Sequence, residues 1–278
     1  MILTYFIVLL FGFCCGSFLN CVIYRLEKRK SFVCGRSFCP KCKHTLAWYD
    51  LIPILSFIVQ KARCRYCHKK ISWQYPIVEI STGLILFFIF YFLFFNHFLF
   101  SIFYLTEFLF LAIISCLLIV IFAYDLKHFI IPDKAIYPAI IFVFLGRLFG
   151  FLNFEHWNLF GNSDLGFRIF KNLKMPLVAG LSAGVFFFLI WLVSRGRWMG
   201  FGDVKLAFLL GLFLGWPNIL VGLFFAFLTG SIAGLFLIVL KKKKMKSEVP
   251  FGPFLVIGTF IGLFWGEKII HWYLSFLL

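Results

Sequence analysis

The stretches 83–95 (GLILFFIFYFLFF) and 109–123 (LFLAIISCLLIVIFA) carry almost no polar side chains, and with their flanks each reaches the roughly 20 residues needed to cross hydrocarbon. With 63% of its 278 residues hydrophobic and 14% charged, the chain cannot bury its apolar side chains in one core and still show water a polar surface. It belongs in a bilayer. Unpaired backbone groups are too costly in lipid for anything but helices or a closed barrel. Runs this long and apolar on every face read as helices, because barrel strands would be short and alternating.

The apolar pattern maps to eight helices near 2–24, 77–96, 101–124, 134–152, 176–194, 204–215, 218–240 and 252–276. The sixth is short, ending at the turn GWPN, and reads as tilted or bent rather than as a full span. The first apolar run has no basic residue ahead of it, so it reads as a retained helix rather than a secretory signal. Residues 1–100 then form two helices around a large basic loop (about 25–76). Residues 101–278 form six helices with short connections, and the chain as a whole shows no internal repeat and no low-complexity linker.

The net charge of +16 does not point to nucleic acid, because most of it lies in short segments beside the apolar runs. Of 27 Lys and Arg, 22 fall in the 25–76 loop, the 125–134 turn, the 195–205 loop and the 241–246 run (KKKKMK). The remaining five are Arg147, Arg168, Lys171, Lys174 and Lys268. By the positive-inside rule the richer segments are cytoplasmic and the N-terminus faces outward.

Within the basic loop, Cys39, Cys42, Cys64 and Cys67 stand as CPKC, 21 residues, CRYC. A tight C-x-x-C turn aims two thiolates at one point, and two such turns close a tetrahedron around Zn²⁺. Disulfides fit poorly with a cytoplasmic loop, and a redox-active pair lacks its usual βαβ surroundings. The expectation is a structural zinc staple with His44 and His68 as bystanders. Cys14, Cys15, Cys21 and Cys116 read as small core residues.

Only eleven acids occur. Glu27, Asp50 and Glu248 lie in basic loops and read as solvated or locally paired. Glu155, Asp164 and Glu267 fall on the outer side, and Glu107 reads as a partly exposed acid near the outer end of the third helix. Asp125 (AYDLKHFIIPDK), Asp133 behind Pro132, and Asp203 after Gly200-Phe201-Gly202 all map to one membrane edge. Ionisable groups beside hydrocarbon are costly and point to function. Two adjacent carboxylates resist joint ionisation, so one can keep a proton while the other acts as base, a pair suited to activating water on an amide. The alternative stays open that these aspartates merely pair with Lys127, Lys134 and Lys205 or cap helices. Spacing alone does not bring Asp125 to Asp203.

These residues resemble the type IV prepilin peptidases, or leader peptidase/N-methyltransferases, a family of aspartic membrane proteases. The resemblance rests on 16–20 (GSFLN), the CPKC pair with Leu46 and 50–56 (DLIPILS), and the CRYC pair with Tyr75, Pro76 and Glu79. It continues through Asp125 with Ile131, Pro132 and Asp133, then 200–205 (GFGDVK), and 250–255 (PFGPFL). It implies that Asp125 and Asp203 are catalytic, with Asp133, Gly200, Gly202, Lys205 and Glu79 in support. It also implies a bacterial inner-membrane enzyme that cleaves prepilins or pseudopilins after a glycine, where a short basic leader meets an apolar helix. Methylation of the new N-terminal amine by S-adenosylmethionine is implied too, and no glycine-rich cofactor fingerprint marks residues to hold it. Basic leader and basic enzyme face repel each other, which anionic lipid and acids such as Glu79 would have to offset.

Two other classes are weaker. A proton-coupled transporter would place its acids near the bilayer midplane rather than at one edge. A non-catalytic scaffold explains the cysteines and leaves the Gly-x-Gly-Asp pattern unexplained.

Overall fold

The computed structural model describes residues 2–28, 35–94, 102–149, 165–240 and 249–277. Cys34, Glu155, Asp164, Glu248 and the KKKKMK run lie outside the described residues. The described elements are helical: α1 (Ile2–Glu27), a 3-10 turn (Trp48–Leu51), α2 (Leu55–Val59), α3 (Gln74–Phe94), α4 (Ile102–His128), α5 (Asp133–Leu148), α6 (Leu165–Ser194), α7 (Phe201–Leu214), α8 (Asn218–Val239) and α9 (Gly252–Leu277).

Six of these helices, α1, α3, α4, α6, α8 and α9, are long and apolar enough to cross a membrane. The other two of the eight expected from the apolar pattern are present but shorter. At 16 and 14 residues, α5 and α7 extend about 24 and 21 Å, against a hydrocarbon core of about 30 Å.

The chain divides into two compact units, Met1–Ala123 and Tyr124–Leu278. In the first, α1 packs on α3 with almost no space between backbones. A Cβ on Gly16 would stand 2.6 Å from the Cα of Glu79, and Gly12 is as close to Gly83. Small residues let helices approach this way where lipid offers no hydrophobic drive to associate. Tyr5 of α1 then meets Phe87, Phe90 and Tyr91 of α3, and Phe90 stacks edge-on against Phe108 of α4.

In the second unit α7 is the centre. It is apolar all round, and every residue from Leu209 to Leu214 is buried. Such a helix sits inside protein rather than against lipid, and its length need not match the bilayer. A Cβ on Gly211 would lie 2.5 Å from the carbonyl oxygen of Ala179 and 2.6 Å from the Cα of Gly180, so α6 and α7 touch through their backbones. The α8–α9 seam closes the same way at Gly222 and Gly258.

Both ends of α7 are tied to α5. Lys205 Nζ donates to Asp133 Oδ1 at 2.6 Å at the start. At the other end Arg147, buried in α5, donates from Nε to the Leu212 carbonyl at 3.3 Å and from its guanidinium to the Phe213 carbonyl. Those carbonyls have no intrahelical partner, so a buried cation is well used there. Arg147 is thus a buried cap on the C-terminal end of α7. Gly215, at φ +73, then ends α7 in a conformation that disfavours any side chain.

Gly211→Val is expected to lower the thermal midpoint in detergent, with a cost of about 1–3 kcal/mol typical of overpacking. Gly234→Val, where an added Cβ meets nothing within 4 Å, should leave the midpoint within a degree or so of wild type.

Candidate functional site

Asp125 occupies the last turn of α4, where the carbonyl ends of its own helix disfavour an anion. It is nonetheless buried at 4% exposure, and its Oδ2 has no hydrogen-bond partner. What surrounds it explains how the site is tolerated. Gly252, the first residue of α9, turns its backbone N–H to the carboxylate, and a Cβ added there would stand 2.5 Å from Oδ2. A helix N-terminus is therefore in van der Waals contact with the acid.

Asp203 lies in the first turn of α7, whose N-cap is Gly200. Its own N–H bonds the Gly200 carbonyl at 3.1 Å, and the Gly200 N–H faces its carboxylate. Asp203 is itself buried, and the Asp125 carboxylate lies close enough to act on it electrostatically. The two acids, 78 positions apart, are thus electrostatic neighbours.

Ile131, from the IIPD turn between α4 and α5, is buried and fills the space beside them. Its Cβ would lie 3.0 Å from a Cβ on Gly202, and its Cδ1 3.5 Å from one on Gly252. Gly202 makes room for Ile131. Both Gly200 and Gly202 keep ordinary negative φ, so neither is required for an unusual backbone turn. The N-termini of α5, α7 and α9 consequently meet at the end of α4.

Asp133 stands apart from this pair. Its side chain is 63% exposed and engaged by Lys205, whose ammonium also lies 4.8 Å from the Tyr137 ring centre and 5.5 Å from that of Phe201.

The first unit holds the cysteines and Glu79. The Sγ atoms of Cys39, Cys42, Cys64 and Cys67 all lie within 4.8 Å of one another, with Cys39 and Cys67 at 3.9 Å. A tetrahedral Zn²⁺ with Zn–S near 2.3 Å sets sulfurs about 3.8 Å apart, so the four fit that ion. Burial opposes ionising Cys39, but the Cys42 and Lys41 N–H groups and the Cys64 and Cys42 thiols bring it down to about 7. Cys67 goes the other way. The Lys69 N–H favours its thiolate, but desolvation and its bonds to the Cys64, Cys42 and Cys39 sulfurs push it up to about 11. Were all four ionised at this spacing, they would repel one another without a cation between them.

The two C-x-x-C turns form a local structural repeat that spacing alone did not reveal. Cys39 N–H bonds the His44 carbonyl and Cys64 N–H the Lys69 carbonyl, both at 2.9 Å. Phe38 bridges Thr45 as Arg63 bridges Lys70, and Lys43 and His68 take the same left-handed turn at φ +60 and +54. His44 stacks on Tyr66, and neither His44 nor His68 joins the sulfur cluster.

Asp50 is more than a solvated loop acid. It is buried and accepts from the Ala47 N–H, Gln60 Nε2 and Tyr66 Oη, with Arg65 Nε at 3.2 Å. Glu79 is buried on α3 and accepts the Ile54 N–H at 2.8 Å and a bond from Ser17. Glu107 is buried as well, at 5% exposure, rather than partly exposed.

Residues 10–93 match the bacterial peptidase A24 N-terminal domain, and residues 112–235 match the type IV leader peptidase family. A prepilin leader peptidase/N-methyltransferase of Legionella pneumophila is 31% identical, across 98% of this chain and 95% of its own. One of Aeromonas salmonicida is also 31% identical, across 99% and 96%. One of Bacillus subtilis is 28% identical, across 98% of both chains. The chain belongs to the type IV leader peptidase family. No solved structure matches it.

For this membrane peptidase, the contribution of Gly252 lay in the PFGPFL motif without a role attached to it. Only the contact with Asp125 supplies one. Gly252→Ala is expected to displace that carboxylate and to lower leader cleavage at least tenfold. Gly234→Ala, with open space at its Cβ, should cleave at the wild-type rate in the same detergent assay.

Proposed function

We propose that this peptidase removes the basic leader of type IV prepilins or pseudopilins at the cytoplasmic edge of the bacterial inner membrane, by water attack that Asp125 and Asp203 activate together. The observation that carries the reading is the pairing of two buried carboxylates at one end of the helical bundle, beside three helix N-termini. Sharing one proton, the pair has both functions that amide hydrolysis needs. The ionised carboxylate takes a proton from water as its oxygen attacks the scissile carbonyl carbon. The protonated carboxyl donates to the carbonyl oxygen. As the C–N bond of the gem-diol breaks, the carboxyl that took the water proton passes it to the departing amine while a gem-diol hydroxyl returns its proton to the other carboxylate, and the pair regains its starting state.

Eight helices traverse the membrane in this reading, with α5 and α7 shielded by their neighbours. The convergence of the α5, α7 and α9 N-termini supports it, since α6 and α8 must each return the chain to the same edge. Residues 1–100 form the N-terminal region with its zinc-bearing loop, and residues 101–278 the peptidase domain. The outward N-terminus follows from the basic loops. Lys205 and Asp133 support the reaction by holding the start of α7, and Gly200 and Gly202 by giving Asp203 its place.

The four cysteines hold one structural Zn²⁺, which would keep the loop folded where little core is available. The relatives' names couple peptidase to N-methyltransferase activity, and this chain methylates the new N-terminal amine from S-adenosylmethionine. That cofactor supplies an electrophilic methyl group when bound. On the α1–α3 seam, Glu79 and the buried, unpartnered Oδ1 of Asn20 are acceptors suited to its amine or ribose, and we assign neither.

The test uses purified protein in detergent or lipid with a prepilin peptide. Asp125→Asn and Asp203→Asn should each lower cleavage at least a hundredfold, and mass spectrometry of the wild-type product should show one added methyl when S-adenosylmethionine is present. Cleavage at the wild-type rate by either variant would end the two-aspartate mechanism.

A further inference from the structure

Exposed apolar side chains on the six long helices face lipid by default. Those of the cysteine loop lie outside any of these helices and need another account. Leu55, Ile58 and Val59 share one face of α2 and are 61, 63 and 72% exposed. Trp73, 69% exposed, packs edge-on against Phe57 on the other side of α2, and Trp48, 77% exposed, opens the 3-10 turn that contacts α2. Single exposed hydrophobes are ordinary on proteins; Leu55, Ile58, Val59, Trp48 and Trp73 exposed together in one small loop are not.

Position narrows what can cover this face. Trp73 immediately precedes α3, a helix long enough to cross the membrane, so the patch sits at the level where the chain enters hydrocarbon. Tryptophan is favoured at that level.

Charge narrows it further. From 35 to 73 the chain has eight Lys and Arg and a single acid, Asp50, which is taken by Arg65. A Zn²⁺ with four thiolates would carry two negative charges and still leave a basic excess. Lys61, Arg63, Lys69 and Lys70 are exposed and make no ion pair among the described residues. An open hollow of about 690 Å³ beside Cys64 is lined by Gln60, Lys61, Arg63, Arg65 and His68, and also by Val59, which belongs to the apolar face. Cationic hollow and apolar ridge are continuous.

We propose that the cysteine loop docks on the membrane as an anionic-lipid-binding surface: the α2 face and Trp48 and Trp73 enter the leaflet while Lys61 and Arg63 hold a phospholipid phosphate in the adjoining cavity. An anionic phospholipid joins a phosphate to acyl chains and matches both halves of the surface at once. The docked loop also has its positive charge neutralised by lipid, which lessens its repulsion of a basic leader. The inference stands on the loop alone and does not depend on the peptidase mechanism.

The experiment places the full-length chain in nanodiscs of phosphatidylcholine, with or without 30 mol% phosphatidylglycerol, using acyl chains brominated near the headgroup. Subtracting the emission of W48F/W73F from wild type isolates those two tryptophans. In discs with phosphatidylglycerol this component should be quenched at least twofold by the bromolipid and shielded from aqueous acrylamide. In phosphatidylcholine alone the quenching should be weaker. Lys61→Gln/Arg63→Gln should lose the dependence on phosphatidylglycerol, and Ile58→Glu should lose the quenching in both lipids, each with the wild-type thermal midpoint. Ready quenching by acrylamide and none by bromolipid would overturn the proposal. So would displacement of the loop by millimolar inorganic phosphate, which would mark a soluble-anion site, or shielding that arises only when a prepilin peptide is added, which would mark a protein-docking face.

Discussion

A carboxylate buried at the end of a membrane-spanning helix is disfavoured twice, by desolvation and by the carbonyl-rich terminus of its own helix. Asp125 is in that position, and the second unit is organised so that it can remain there. The N-terminus of α9 meets it through Gly252, which has no side chain to stand in the way. The N-terminus of α7 brings Asp203 alongside, and the turn that leads into α5 seals the gap with Ile131. Helix N-termini present N–H groups and partial positive charge, the one backbone feature that can compensate an anion without a counter-cation.

The rest of the unit follows from holding α7 in register with that point. A helix of 14 residues has little purchase of its own in a bilayer. It is pinned by Lys205 to Asp133 at the end that carries Asp203, and by Arg147 at the other. Glycines at its face with α6 let the two backbones touch, so sliding along the seam is blocked by side chains on either side. The cysteine loop solves a different problem. Its one buried acid, Asp50, gathers four partners, and four sulfurs converge on a point that a metal would occupy. Polar contacts and the sulfur cluster stand where a hydrophobic core would be, leaving the apolar side chains of α2 on the outside.

Much of this was legible in the residues. Apolar runs placed eight helices to within a few residues, six of them long enough to cross a membrane, apart from α6, whose start at Leu165 lies well ahead of the expected 176; runs apolar on every face cannot be confused with strands. The four cysteines were legible from their spacing, because ligand geometry constrains local sequence. What could not be read were contacts between distant segments. Nothing in the chain order brings Asp125 to Asp203, directs Lys205 to Asp133, or turns Arg147 inward as a cap. Asp50 and Glu107 looked ordinary because burial of an isolated acid depends on neighbours supplied by tertiary structure. Gly252 was visible only as a letter in a motif.

The central claim is that Asp125 and Asp203 act as a pair sharing one proton. The most direct measurement is the pH dependence of kcat/KM for a prepilin peptide, from pH 5 to 9. Two buried carboxylates this close do not both ionise readily, so the pair keeps one proton at the lower end of this range and gives it up toward the upper end. The pair is then doubly ionised and has no acid to give the carbonyl oxygen, so the rate should fall about tenfold per pH unit on the alkaline side. A rate that stays level from pH 7 to 9 would contradict the account.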